Sequence, residues 1–193
     1  PAALTYLALI KDRLGSLTDA RIVVSWVFDD RLAAPSTLHS LLLLAPALGA
    51  RVTVQAPPRF GPLRRVVREA HRRFGTDRIE ILDSERTFRP RAECDAVIAL
   101  NWRSLDEFID LERNRRMAAD HRDWYYTPAS VPEGVPFLAE PSVRSEVAVA
   151  PELLTSRVNL TPLWLRKSAA ILASSMIEAY GIESTLALEK EQH

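Results

Sequence analysis

Four short runs rich in β-branched and aliphatic residues set the strongest limit on what this chain can fold into: RIVVSWVF at 21–28, RVTVQA at 51–56, RIEIL at 78–82 and DAVIAL at 95–100. The first is apolar almost throughout, as a strand is when both its faces are buried. The segments between them read as helices. Residues 36–48, STLHSLLLLAPAL, take Ser36 as N-cap, are limited by Pro46 and stop at Gly49, while Pro62 opens an arginine-rich helix that ends at Gly75. Strand, helix and strand repeat with short connections, which is the signature of parallel pairing through helical crossovers. The expected fold is therefore α/β: three layers, Rossmann-like, with a mostly parallel sheet flanked by helices on both faces.

Ahead of the first strand, residues 2–14 carry apolar side chains at helical spacing and stop at Gly15, a natural left-handed cap. Beyond residue 105 the pattern weakens. Residues 105–122 read as a charged helix and 127–136 as a proline-rich loop; Phe137, Leu138 and Ala139 form a short strand, Pro151 opens a short helix through Leu154, and Arg157 to Leu160 form a last strand. Residues 162–180, PLWLRKSAAILASSMIEAY, make a long helix ended by Gly181 and too apolar for a helix with one wet side. With the first helix it offers surface for another domain or subunit; alternatively, the two helices pack on each other and on the sheet. Pro1 stands where an initiator methionine is expected, so the chain reads as processed or as the second part of a longer protein, and the helix that opens it with no preceding strand favours the latter.

At 193 residues the chain suits one domain with a sizeable core. Its formal net charge is zero, which removes any general attraction to nucleic acid or an anionic membrane. The exception is local: Arg64, Arg65, Arg68, Arg72 and Arg73 crowd one helix, whose plain reading is a solvated face. One cysteine, Cys94, leaves no internal disulfide and fits a reducing, cytoplasmic setting. No stretch reaches the roughly 18 apolar residues a membrane span needs. There is no glycine-rich dinucleotide loop, no Walker loop and no G-x-S-x-G elbow, and the four histidines and Cys94 lack ligand spacing. Neither a cofactor nor a metal is expected.

In an open parallel sheet, ligands bind beyond the carboxyl ends of the strands, where loops converge at a reversal of strand order. The candidate loops are Asp29 to Arg31, Pro57 to Phe60, Asp83, Asn101 to Ser104, and Glu140 to Arg144. The fourth stands out, because the apolar run ending at Leu100 gives way at once to Asn101, Trp102, Arg103 and Ser104. His39, early in a helix, is either packed in the usual way or placed to donate to an anionic or carbonyl oxygen.

These pieces together resemble the second, amino-acid-binding domain of the aspartate and ornithine carbamoyltransferase family. ALTYLALIKDRLGSLTDARIVVSW at 3–26 is similar to the family's run from its interdomain helix into a strand, and DAVIALNWRSL at 95–105 to its D-V-I-Y-x-D-x-W-x-S-M element, with Trp102, Ser104 and Leu105 in register. The helix bearing His39-Ser40-Leu41 parallels an (H/N)-S-L element, and Ser25-Trp26 leans toward the branch acting on N-acylated ornithine. The resemblance implies one amino-acid-binding domain over residues 1–193, with helices at 1–15 and 162–182 touching an N-terminal carbamoyl-phosphate domain, in a homo-oligomer. It implies catalytic roles for His39 at the carbonyl and for Ser104. Ser40 would bind substrate by hydrogen bonds, Trp102 would shape the pocket, Arg103 or Arg144 would pair with a carboxylate, and Glu140 would hold a substrate ammonium. The implied partners are a small-molecule amino acid and carbamoyl phosphate.

The departures carry equal weight. FLAEPSVR at 137–144 stands where the family has H-C-L-P, LTPLWLR at 160–166 where it has E-x-E-N-R, and Leu100 where it has aspartate; the S-x-R-T-R phosphate element has no counterpart. Losing one preorganised oxyanion donor typically costs about 3 kcal/mol of transition-state stabilisation. Two readings follow: a divergent carbamoyltransferase, or a catalytically inactive amino-acid-binding or assembly module on the same fold.

Overall fold

The computed structural model describes residues 2–83, 88, 91 and 93–180. Pro1, residues 181–182 and the side chain of Asp83 lie outside them. Helix α1 (Ala2–Leu14) precedes strand β1 (Arg21–Trp26), and α2 (Ser36–Ala47), β2 (Arg51–Ala56), α3 (Arg64–Phe74) and β3 (Ile79–Asp83) follow. The chain then continues through β4 (Ala96–Leu100), α4 (Leu111–Ala119), β5 (Phe137–Ala139), α5 (Pro151–Leu154) and α6 (Trp164–Tyr180). The five strands form one sheet in the order β3-β2-β1-β4-β5, and every pairing is parallel.

Alternate residues along each strand feed two cores. Ile22, Val24 and Trp26 of β1, with Val52 and Val54 of β2 and Ile98 and Leu100 of β4, face α1, α2 and α3. Val23, Val97, Ala99, Phe137 and Ala139 face the other way, onto Tyr126, Val131, Val149 and Leu153. Each fully buried aliphatic side chain removes enough apolar surface to contribute about 1.5–3 kcal/mol. The layers are unequal. One face carries the long helices, whereas the other is covered largely by irregular chain around the single turn of α5.

The sequence reading needs four corrections. Strand β1 stops at Trp26, because the Val27 N–H turns to the Leu100 carbonyl (2.9 Å) and the Phe28 N–H to that of Trp124 (2.9 Å). Pro35, not Ser36, is the N-cap of α2, and no side chain caps it. The charged helix is only Leu111–Ala119, since the Asp110 carboxylate accepts the Arg113 N–H (2.9 Å) and starts the helix there. Residues 157–160 form no strand but a single parallel bridge, Phe137 to Asn159; the next N–H on that edge, Ala139, goes to the Thr161 hydroxyl (2.8 Å).

The terminal helices divide between the two alternatives. Helix α1 buries Ala3, Tyr6, Leu7, Leu9 and Ile10 and packs on α2 and the start of α6. Helix α6 leaves Leu165, Leu172, Met176 and Ile177 exposed along its length. Among the described residues no helix is long and apolar enough to cross a membrane.

Two glycine turns give a prediction. Gly49 and Gly15 both sit at positive φ, +88° and +83°, but a Cβ on Gly49 would lie 3.3 Å from the Thr18 Cα, while one on Gly15 would meet nothing within 4 Å. Gly15→Ala is expected to cost about 1 kcal/mol from backbone conformation alone, and Gly49→Ala about 2 kcal/mol because the crowded backbone must also shift. Urea unfolding of the two variants checks this; equal losses would show that the Thr18 contact imposes nothing.

Candidate functional site

Strand order reverses at β1: β2 and β3 lie on one side, and the chain returns to lay β4 and β5 on the other. The crevice beyond the carboxyl ends of β1 and β4 is thus the place where a ligand fits. Asn101, the first residue past β4, ties the two loops together. Its Nδ2 donates to the carbonyls of Val27 (3.0 Å) and Asp29 (3.3 Å), and its Oδ1 accepts the Ala33 N–H (3.3 Å).

A cleft of about 260 Å³ opens over this junction, with Tyr6, Thr37, Asn101, Trp102, Glu140 and Trp164 in its lining. Glu140 directly follows β5, and its N–H continues the ladder to the Ala99 carbonyl (2.9 Å). One carboxylate oxygen accepts the Asn101 N–H at 3.3 Å, a long and weak contact. Burial, assisted by the charge of Asp29, pushes the Glu140 carboxyl above the usual carboxylate range. Tyr6 is also pushed up, by burial and then by Glu140. Its ring lies 6.2 Å from that of Trp164, whose buried Nε1–H has no hydrogen-bond acceptor. Among the described residues no lysine, arginine or histidine lines the cleft, and the charge of Arg31 partly opposes the rise of Glu140.

The structure brings Trp102 and Glu140 together here and puts the other sequence candidates elsewhere. Trp102 is 1% exposed, donates its indole N–H to the Phe60 carbonyl (2.6 Å) and accepts the Trp26 indole N–H on its own carbonyl (2.8 Å). The Ser104 hydroxyl donates to the Arg59 carbonyl (2.6 Å) and accepts the Asp106 N–H (3.2 Å). Arg103 stacks on the Phe108 ring at 4.7 Å and donates to the Phe108 carbonyl. His39 accepts the Leu63 N–H on Nε2 (3.0 Å), so that nitrogen is unprotonated; burial and then the nearby Arg65 guanidinium hold the imidazole below its usual value. Ser40 is half-buried on α2 and does not line the cleft.

Arg144 is held by acids from the opposite loop. Its Nη2 lies 2.6 Å from Asp30 and 3.1 Å from Asp29, whose side chain is only 4% exposed. Asp29 also accepts the Arg31 N–H (2.9 Å), and Arg31 reaches across to the Ser142 carbonyl (2.7 Å). Burial alone would raise the Asp29 carboxyl, but the Arg31 N–H and the Arg144 guanidinium outweigh it and hold the group below the usual range. This cluster fastens the loop after β5, and with it Glu140, to the loop after β1.

Tyr6, Thr37 and Trp164 were not among the sequence candidates. Nothing in the order of residues says that α1 and α6 reach over the carboxyl end of β4; the one available signal was aromatic residues in helices read as contact surface. Among the described residues no group of three or more His, Cys, Asp or Glu is placed to hold a metal.

No family model matches this sequence, and no curated protein matches it. Solved structures do match. The crystal structure of N-acetyl-L-ornithine transcarbamylase superposes with a TM-score of 0.74 at 15% identity, over 86% of this chain and 52% of that one. A mutant of that enzyme complexed with carbamyl phosphate and N-succinyl-L-norvaline gives 0.75 at 15% identity over the same shares. Acetylornithine transcarbamylase complexed with acetylcitrulline gives 0.74 at 15% identity, over 86% and 51%. The chain thus spans about half the length of the structures it matches, and at this identity the likeness is one of fold: a five-stranded parallel, Rossmann-like α/β domain with the fold found in those transcarbamylases.

Proposed function

We propose that this chain is the amino-acid-binding half of a divergent carbamoyl-transfer architecture, and that the cleft beyond β1 and β4 receives the amine substrate through its cationic nitrogen. One observation carries the reading: the cleft contains a half-buried carboxylate, Glu140, with aromatic neighbours and, among the described residues, no guanidinium or ammonium in its lining; the Arg31 charge that reaches Glu140 belongs to a side chain engaged by Asp29 and Ser142. A carboxylate withdrawn from water without a paired cation attracts one, and the aromatic side chains favour the same charge. The phosphate of carbamoyl phosphate has opposite needs, so its cations come from a preceding domain, for which the exposed apolar residues of α6 offer a docking strip. The assembly acts as a cytoplasmic homo-oligomer, as in the family the sequence resembles. Transfer needs the ammonium to lose a proton before nitrogen attacks the carbonyl carbon, and Glu140 is the acceptor within the cleft.

A second reading has an observation of its own. His39, Arg103, Ser104 and Arg144, the groups expected to act on substrate, each hold a bond within the fold. That arrangement favours an amino-acid-binding or assembly module without catalysis. The full-length protein mixed with carbamoyl phosphate and a panel of amines decides between them: release of phosphate supports the transferase, whereas calorimetric binding of an amine without release supports the module. No binding of any amine overturns the transferase and the amino-acid-binding module alike and leaves only an assembly role.

Glu140→Gln is expected to weaken amine binding at least tenfold and to remove its pH dependence. In the parent protein the carboxyl is raised, so binding strengthens as pH rises through that raised value and Glu140 becomes an anion, then levels off. A titration of affinity between pH 4.5 and 8 checks this; a flat profile in the parent protein would remove Glu140 as the counter-ion.

A further inference from the structure

Helix α3 sorts its arginines into two sets. Toward its C-terminal end, Arg72 and Arg73 share Glu69 as a partner, at 2.7 and 2.5 Å. Arg64, Arg65 and Arg68 are exposed and, among the described residues, meet no carboxylate. The first turn of the helix contains no acid. Arg64 and Arg68 are four residues apart, where like charges repel and weaken a helix. A solvated face gains nothing from this arrangement, whereas the other half of the same helix supplies its arginines with a carboxylate partner. In a chain with zero net charge, the unpaired guanidiniums are a local feature rather than a general excess of base.

They also border a groove. An open groove of about 840 Å³ has Arg64, Arg68, Leu105 and Asp106 in its lining, together with Leu63, Val67 and Ile81. Arg59, also in the lining, is engaged by Asp106 (3.1 Å) and Glu107 (3.6 Å), which leaves Arg64 and Arg68 as the lining guanidiniums that meet no carboxylate among the described residues. The groove shares no lining residue with the cleft beyond β4.

We propose that this groove is a docking surface for an acidic peptide segment of a partner protein, with apolar side chains seated against Val67 and Ile81 and carboxylates paired to Arg64 and Arg68. The charge of the rim selects the partner, because planar guanidiniums take carboxylates in bidentate fashion and acidic motifs are recognised by arginine clusters. An isolated inorganic anion is far smaller than the groove and has no use for its apolar lining. Single-stranded nucleic acid is disfavoured because, among the described residues, no aromatic side chain lines the groove to stack a base.

The test is fluorescence anisotropy with the whole chain and a labelled decapeptide of alternating leucine and glutamate, beside its leucine–glutamine and leucine–lysine counterparts. The expected result is saturable binding of the acidic peptide alone, weakened at least fivefold between 0.05 and 0.3 M salt, as exposed charge pairs require. The double variant Arg64→Glu/Arg68→Glu should weaken it at least tenfold, while Arg116→Glu, exposed on α4, leaves it within twofold. No saturable binding, equal loss in the Arg116 control, or tighter binding of an oligouridylate than of the acidic peptide would each overturn the proposal.

Discussion

Trp102→Ala is expected to lower the stability of the fold by about 4 kcal/mol, within the range measured for emptying a buried tryptophan site. The indole is almost wholly enclosed, and its N–H is the donor that satisfies the Phe60 carbonyl. Removing it opens a cavity beside Trp26 and Phe60, themselves 4.9 Å apart between ring centres, and leaves a buried carbonyl without its partner. Trp102→Phe keeps most of the volume and loses the donor, so it should cost only about 1–2 kcal/mol. Arg68→Ala, on the exposed side of α3, should change stability by less than about 0.5 kcal/mol. The measurement is urea unfolding of the three variants, paired with amine affinity for those that remain folded. Trp102 lines the cleft, so Trp102→Phe should weaken amine binding several-fold and Arg68→Ala should leave it unchanged. If Trp102→Ala unfolds at the parent midpoint, the indole does not hold the loop after β4; if Arg68→Ala matches Trp102→Phe in affinity, the cleft is misplaced.

The strands were legible because burial on both faces leaves a nearly continuous apolar run, which β1 and β4 show directly, while β2 sets β-branched Val52 and Val54 in alternation with polar residues. Their parallel order followed from helices between them, and Gly15, Gly49 and Gly75 marked the turns because each needs positive φ. The edge was less legible. Residues 157–160 have strand-like composition, but Asn159 bonds the Thr161 N–H and Thr161 takes the ladder position, which is side-chain chemistry that periodicity does not register. For the candidate site, the rule of carboxyl ends picked out two loops whose residues Trp102 and Glu140 line one cleft. It could not distinguish a free guanidinium from a bound one: Arg144 looks available in sequence, yet its partners Asp29 and Asp30 lie more than a hundred residues earlier. The same limit hid Tyr6 and Trp164, whose helices come from opposite ends of the chain. Local pattern reports which residues are buried or extended; which polar groups satisfy one another depends on the assembled loops.

Asp29→Asn is expected to lower stability at neutral pH by about 2 kcal/mol. Breaking a buried ion pair costs about 3–5 kcal/mol when both partners are enclosed, and the figure here is smaller because Arg144 remains 37% exposed and keeps Asp30. The pH dependence has a definite sign. The Asp29 carboxyl is held below its ordinary value in the fold, so its contribution is fully present above the unfolded value near 4 and disappears as pH falls through the lower, folded value. The gap between parent and variant should therefore be widest at pH 6–7 and close as the solution is acidified below about 4. Glu140 responds in the opposite sense, since its carboxyl is raised: it favours the fold more at acid pH and loses that advantage as pH rises. The two acids are connected, because the charge of Asp29 is one of the causes that push Glu140 up. In the Asn variant, Glu140 should ionise at a lower pH, and the onset of amine binding should move toward acid by a measurable fraction of a pH unit. The loop that fixes Glu140 loses an anchor at the same time, so affinity at neutral pH should fall several-fold while the onset moves. Calorimetric titration of the variant from pH 4.5 to 7 separates the two effects. An unchanged onset with lowered affinity leaves Asp29 as a loop anchor only, whereas a shifted onset shows that the ion-pair cluster also sets when the cleft becomes an anion.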